Sequence, residues 1–447
     1  MALLRRWNAY WFRPAPLVNL AICRIVVVAS QLFLLVFTGY NSNRFVQLDA
    51  LPDSLYRPLP VLRPLLWPFG WSYRPSFETI YVTHWITVAA GVLALIGLRT
   101  NSALFVFAAG NIFMQAYFYS FGDFHHPEAL MMIALSILAL SPVGRALSLD
   151  DLRLRLRLNV RRRRFDVSSI LDEVSSFARW PLLLIGWMYA LVYLSAAASK
   201  LRVAGFDWMN GYTLQYYLLE DGLRWGSDVG VWLGRHHTLV FALSWVTILF
   251  EGTFFLVLIS PRLVGLYIPM GVALHAGIYV AMRAPFFAFM VIYTVFVPWV
   301  RIFKTVSHLL TSQKKPEILF DGHCPVCIRS VTALAYFNWF GLLTFADLGM
   351  RSASWRESHP GISLEDCQRE MHVFLPDGSV RKGFFAFRAA LWYLPPLWPL
   401  LVAFYVPSAS AIGPRLYRLT ASRRARFEGC SFETCSMHSP DDRFSSP

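Results

Sequence analysis

Apolar runs long enough to cross a bilayer recur between residues 17 and 300, and they constrain the fold of this chain more than any other feature. A helix needs roughly 20 predominantly apolar residues to span about 30 Å of hydrocarbon. The runs lie near 17–39, 79–98, 102–120, 127–146, 181–199, 238–259, 264–281 and 285–300. In lipid each backbone polar group must be satisfied within its own segment or a closed barrel, so runs of this kind predict helices. Composition agrees, with 56% hydrophobic and 15% charged residues. An ordinary soluble domain carries roughly 25% charged residues. A disordered chain, a collagen, a coiled coil and a plain soluble enzyme are excluded. The expected fold class is a multi-spanning α-helical membrane domain of about eight helices, followed by a small α/β domain.

Charge predicts an orientation. Forty-one Lys and Arg against 27 Asp and Glu leave a net charge of +14. Basic cytoplasmic loops account for this better than nucleic acid binding, and no nucleic acid partner is expected. Eight spans put both ends on one side. Arg153, Arg155, Arg157 and Arg161 to Arg164 lie between the fourth and fifth runs, hence on that side. Arg301, Lys304, Lys314 and Lys315 join them. The positive-inside rule makes this face, with both termini, cytoplasmic. The 153–164 stretch reads as a stop-transfer anchor for anionic lipid, or else as a ligand site.

Composition shifts at Lys315. The division is 1–302 as the membrane domain, 303–315 as a basic linker and 316–447 as the α/β domain. Strand signals cover Pro316–Phe320 and Leu342–Leu348, with a helix over 325–340 between them. A helix over 363–370 follows, then His372–Leu375 and Ser379–Lys382 around the Pro376-Asp-Gly turn, a hairpin signal. An apolar helical region, 384–420, closes the pattern. Within it 391–406 is broken by Pro395, Pro396 and Pro399 and reads as a surface or interfacial helix.

Cys324 and Cys327 form a Cys-x-x-Cys pair between the first strand and the following helix. At a helix N-terminus, orphan N–H groups and the dipole favour a thiolate on the first sulfur. The second, one turn on, can resolve a mixed disulfide. Pro325 in the first turn costs no helix hydrogen bond. His323 favours the thiolate when charged, or exchanges its proton. Asp321 is a proton acceptor or a turn cap. The rival arrangement is metal, in which Cys430, Cys435 and His438 join the pair in a zinc site. Cys430 and Cys435 otherwise read as a tail disulfide, free thiols or a second redox pair. Cys367 reads as a half-buried helix residue.

Several stretches carry a family resemblance. Asp321-Gly-His-Cys-Pro-Val-Cys327, Leu343-Thr-Phe-Ala-Asp347, Leu375-Pro-Asp-Gly378 and Tyr417-Arg-Leu-Thr-Ala-Ser-Arg-Arg424 resemble the DCC family of thiol-disulfide oxidoreductases over about 316–430. The resemblance implies a thioredoxin-like fold and dithiol–disulfide exchange through Cys324 and Cys327. Thioredoxins place a proline before the third strand; here Gln368–His372 has none.

Ionisable residues inside spans are costly, which makes Arg24, His84, Glu251 and His275 functional candidates, with His125, His126 and Lys200 at outer ends. An Arg24–Glu251 pair would neutralise two of them, and the set suggests a polar cavity opening outward. Phe121-Gly-Asp-Phe-His-His-Pro-Glu-Ala129, Tyr193-Leu-Ser-Ala-Ala-Ala-Ser-Lys-Leu201, Trp208-Met-Asn-Gly-Tyr212 and Phe296-Val-Pro-Trp299 resemble the HTTM domain, the membrane portion related to vitamin K-dependent γ-carboxylase, over about 14–302. That resemblance implies Lys200 as a base acting on a reduced quinone and His125 or His126 as an assisting histidine. Both resemblances together imply a protein of the bacterial inner membrane. The leading expectation is a membrane thiol-disulfide oxidoreductase with a protein or small-molecule thiol or disulfide partner, coupled to a quinone or lipid. The alternatives are a γ-carboxylase-like enzyme of the outer face and a zinc-stabilised membrane scaffold.

Overall fold

A computed structural model describes residues 2–38, 42–66, 68, 70, 73–122, 126–163, 165, 170–310, 314–348 and 364–422. The chain divides into two compact units. One comprises Met1–Ser148 and Val174–Pro298; the other comprises Leu149–Glu173 and Trp299–Pro447.

The first unit is helical. Leu17–Phe37, Phe77–Ile96, Thr100–Tyr119, Arg179–Ala204 and Val264–Met282 are helices formed on five of the expected apolar runs. Among the described residues, five helical segments are long and apolar enough to cross a membrane, and up to seven if each of two bent pairs makes one span. The expected runs at 127–146 and 238–259 contain shorter helices, His126–Ala139 and His237–Thr253. The first stops short of Pro142, which cannot continue a helix. The second gives way to a separate turn, Leu256–Ile259, ahead of Pro261. The run at 285–300 is also divided: Phe287–Ile292 passes into a tighter turn, Tyr293–Phe296, before Pro298.

Local chemistry sets the helix ends. Ser76 Oγ accepts the Thr79 N–H at 3.3 Å and caps Phe77–Ile96. That helix ends at Gly97, whose φ of +74° is left-handed and whose added Cβ would lie 2.3 Å from Ser148 Cβ. Ala15–Pro16 (β1) and Val174–Ser175 (β2) pair antiparallel and tie the start of the first long helix to the entry of Arg179–Ala204.

The second unit is built on four strands, Glu317–Phe320 (β3), Thr344–Asp347 (β4), His372–Phe374 (β5) and Val380–Lys382 (β6), in the order β4-β3-β5-β6. β3 and β4 are parallel and the other pairs antiparallel. The helix Pro325–Tyr336 makes the crossover that a parallel pair requires. Side chains alternate across β3. Ile318 and Phe320 enter a core with Val331, Leu334, Val373 and Ala386. Leu319 turns to the other face, against Ala346, Leu348 and Cys367. The hairpin turns through Asp377-Gly378, with φ of +82° at Gly378 and Asp377 Oδ1 accepting the Ser379 N–H at 2.8 Å. The apolar region beyond it contains three helices, Gly383–Leu391, Trp398–Tyr405 and Pro407–Ala421, broken at Pro395–Leu397 and again at Pro407, while Pro414 lies inside the last of them.

The basic segment belongs to this unit. Its helix, Leu149–Arg161, packs on Pro325–Tyr336, and Asn159 Nδ2 donates to Thr332 Oγ1 at 3.1 Å. Arg155 sits over the Tyr336 ring at 5.7 Å and pairs with Asp151 and Glu173. Burial holds the Asp151 carboxyl above its usual range, although Arg155 pulls the other way. Phe165 packs T-shaped against Phe320, ring centres 5.1 Å apart, and tilted against Phe345 at 5.5 Å.

Candidate functional site

The dithiol is built by the loop between β3 and the 325–336 helix. Asp321 ends the strand, and its backbone oxygen accepts the Cys324 N–H at 3.2 Å. Its Oδ1 accepts the His323 N–H at 2.9 Å and lies 3.7 Å from His323 Nδ1. Gly322 donates its N–H to Asp347 Oδ1 at 3.1 Å. A Cβ on Gly322 would lie 2.0 Å from Asp347 Oδ2, so only glycine fits beneath that carboxylate. The loop is thereby tied to the end of β4.

Cys324 is the N-cap of the helix, with extended φ and ψ of −103° and 116°. Its Sγ accepts the Cys327 N–H at 3.3 Å. Pro325 occupies the first turn, where no N–H is needed. Cys324, Cys327 and Asp321 are all buried, at 2%, 6% and 5% exposure. Asp321, Cys327 and Ser330 line a small cavity of about 20 Å³, with Cys367 and Tyr417 at its other walls. Cys367 is a buried helix residue whose thiol is pushed up to about 11, by burial first and then by Asp366. The structure therefore gathers Asp321, His323, Cys324 and Cys327 as the spacing suggests. It adds Gly322, Asp347 and Phe165, none of which stood out in the sequence as a site residue. Cys430, Cys435 and His438 lie outside the described residues. Among the described residues, no group of three His, Cys, Asp or Glu side chains is placed to hold a metal ion.

The helical unit holds a second polar constellation. Lys200 Nζ donates to both oxygens of Glu251, at 2.9 and 2.7 Å, and lies 5.4 Å from the centre of the Trp208 ring. The Tyr193 hydroxyl meets His275 Nε2 at 2.7 Å and the Tyr293 hydroxyl at 2.6 Å. Lys200, Glu251, Tyr193 and His275 border one cavity of about 690 Å³ whose remaining walls are largely Leu, Ala, Phe and Ile. Two expectations are corrected here. Glu251 is paired with Lys200 and not with Arg24; Arg24, fully buried, donates to the Val143 and Leu147 carbonyls at 2.9 and 2.6 Å. Nor do the ionisable residues share one cavity. Arg24 and His84 do not line it, and His84 lies against Phe45 and Trp85. His126 begins a helix, and His125 lies outside the described residues.

Comparison with known proteins agrees with the geometry of the dithiol. Residues 318–430 match the family model of DCC1-like thiol-disulfide oxidoreductases. The chain thus carries a DCC1-like domain that holds both cysteines. A chloroplastic protein of Arabidopsis thaliana, described as uncharacterized, is 35% identical over 75 residues. That match covers 17% of this chain and 35% of the relative, so the chain spans about a third of the curated relative it matches. No solved structure matches.

Proposed function

We propose that the chain is an integral membrane thiol-disulfide oxidoreductase in which Cys324 is the attacking sulfur and Cys327 the resolving one. One observation carries the reading: Cys324 caps a helix whose next-turn N–H, that of Cys327, points at its sulfur. Negative charge at that position is favoured by the unpaired N–H groups and the dipole. The strand order β4-β3-β5-β6, with the dithiol at the start of the crossover helix, supports the thioredoxin-like reading.

The exchange balances in two steps. The Cys324 thiolate attacks one sulfur of a substrate disulfide, forming a mixed disulfide and releasing one substrate thiolate. Cys327, losing its proton, attacks the Cys324 sulfur and releases the second. The substrate gains two electrons, and the chain is left with a Cys324–Cys327 disulfide. The reverse sequence oxidises a substrate dithiol. Asp321 is the proton acceptor for Cys327 across their shared cavity, whose volume suits a single water. Because both sulfurs are buried, we assign as partner a small thiol or disulfide, or an extended peptide segment that can reach past His323.

The membrane half extends this reading. The HTTM resemblance and the cavity beside Lys200 support a quinone or a lipid as its ligand. An apolar chamber of about 690 Å³ with few polar groups suits a ring with a prenyl tail. A bound quinone would supply two-electron, two-proton redox capacity; Lys200, Tyr193 and His275 would hold its oxygens. The carboxylase-like alternative, with Lys200 as base, is less favoured. An ammonium held by both oxygens of Glu251 is a poor base until that pair opens. We propose a bacterial inner membrane, on the pairing of the two resemblances, with both termini cytoplasmic, on the charge pattern of the loops.

The test is exchange with a glutathione redox buffer, using the full chain in nanodiscs and read by mass after alkylation. The native chain should pass between dithiol and disulfide as the buffer changes. Cys327→Ser should accumulate a mixed disulfide at Cys324, and Cys324→Ser should lose exchange. Exchange that persists in Cys324→Ser, or stoichiometric zinc with no exchange, overturns the reading.

A further inference from the structure

The C-terminal helices of the dithiol unit present an apolar surface that its core does not use. Their inner side is well packed. Phe384 stacks on Phe404 at 5.7 Å, and Gly413 lies against the Phe384 ring. The Tyr417 hydroxyl accepts the Met371 N–H at 2.9 Å. Arg388 is held between Phe385 and Tyr405 and donates to Ser410 Oγ at 3.0 Å. These contacts fix the rotation of both helices about their axes.

The outer side is a different surface. Most of Trp398–Tyr405 is exposed, with Trp398, Leu400, Val402 and Tyr405 its exposed large apolar residues; on Pro407–Ala421 these are Ile412, Leu416 and Leu419. Spacing of four then three residues places Ile412, Leu416 and Leu419 on one helical face. Val402 is 75% exposed, Leu416 58% and Leu419 64%. Trp392, Trp398 and Tyr405 lie on the same surface with their polar ring atoms bonded locally. Trp392 Nε1 donates to the Tyr405 hydroxyl at 2.6 Å, and Trp398 Nε1 donates to the Trp392 carbonyl at 3.1 Å.

Charge identifies what covers this face. From Gly383 to Ala421 there is no acidic residue, and Arg415 and Arg418 are exposed beside Leu416 and Leu419. An apolar stripe edged by arginines, with Trp and Tyr among it, matches an acyl–headgroup boundary that carries negative charge. A spanning helix is disfavoured by the turn of 106° between Gly383–Leu391 and Pro395–Tyr405. Among the described residues the same chain has five helices fit to cross a bilayer, so a lipid surface is at hand.

We propose that Trp398–Tyr405 and Pro407–Ala421 lie in the headgroup region of an anionic leaflet, with Val402, Leu416 and Leu419 in the acyl boundary and Arg415 and Arg418 on lipid phosphates. This docking holds the dithiol domain against the membrane surface. It depends on neither cysteine, so it stands or falls apart from the exchange reading.

The experiment uses the full chain in nanodiscs, with p-benzoylphenylalanine placed in turn at positions 402, 416 and 419. Position 382, an exposed lysine on β6 outside the patch, serves as control. After illumination, mass spectrometry should find phospholipid adducts at the three patch positions and none at 382. Yield at 416 should be several-fold higher in discs containing phosphatidylglycerol than in phosphatidylcholine alone. Arg415→Gln with Arg418→Gln should remove that difference. Adducts to a second copy of the chain, or to its own residues 423–447, in place of lipid would overturn the proposal. Equal yields in charged and neutral discs would overturn the assignment of the arginines.

Discussion

Gly322 and Cys367 show how much a single atom decides around the dithiol. Gly322 passes beneath the Asp347 carboxylate with no room for a Cβ. Gly322→Ala must turn that carboxylate away and lose its bond to the loop, at a cost of about 1–2 kcal/mol. The expected outcome is a lowered thermal midpoint and slower exchange at Cys324, read by alkylation kinetics. Cys367 shares a cavity wall with Cys327 yet should stay inert. Its thiol is pushed up to about 11 by burial, so it remains protonated as pH rises through the usual thiol range. Alkylation of the folded chain at pH 8, mapped by peptide mass, should leave Cys367 unmodified; labelling there at the rate of an ordinary thiol would refute this. The motif Cys324–Cys327 was legible from the sequence because strand, loop and helix are contiguous. The role of Gly322 was not, because Asp347 reaches it only through the parallel pairing of β3 and β4.

At the scale of elements, the basic stretch after Ser148 changes meaning. Alternating arginine and leucine read as a membrane anchor, yet the helix Leu149–Arg161 lies on the dithiol helix through Asn159 and Arg155. Phe165 then closes part of the core that contains Cys324 and Cys327. Truncating this half-buried ring should cost about 1–3 kcal/mol, less than a fully buried Phe. In Phe165→Ala, the domain should melt earlier and Cys327 should be alkylated faster, while the membrane helices keep their far-ultraviolet signal. An unchanged Cys327 rate would show that Phe165 plays no part in enclosing the thiol. Its partners, Phe320 and Phe345, are more than a hundred residues away, so no local pattern in the sequence could reveal the contact.

On the scale of the whole molecule, the polar groups of the membrane unit sort into separate tasks. Arg24 serves the fold by satisfying two carbonyls, whereas Lys200, Glu251 and His275 border the large cavity. Lys200→Ala leaves Glu251 without its cation, and for this part-buried pair the loss should cost about 1–3 kcal/mol. A Lys200→Met, Glu251→Gln double variant removes both charges and should fold better than Lys200→Ala. If the two halves act separately, that double variant retains glutathione exchange at Cys324 while losing the proposed quinone or lipid binding in the cavity. Loss of both activities in a folded protein would show that the halves work as one system.

Length and polarity alone determined that this chain is largely helical and membrane-suited, because roughly 20 apolar residues in lipid have no other way to satisfy their backbone. They also determined that a strand, a dithiol and a helix follow one another at Phe320 to Tyr336, because those signals act over neighbouring residues. Tertiary structure decided the rest. It chose Lys200 over Arg24 as the partner of Glu251, and it drew Leu149–Glu173 into the dithiol unit. Among the described residues, it also left one face of Pro407–Ala421 exposed, at Ile412, Leu416 and Leu419. Such choices depend on side chains far apart in sequence meeting at fixed distances, and no periodicity along the chain encodes them.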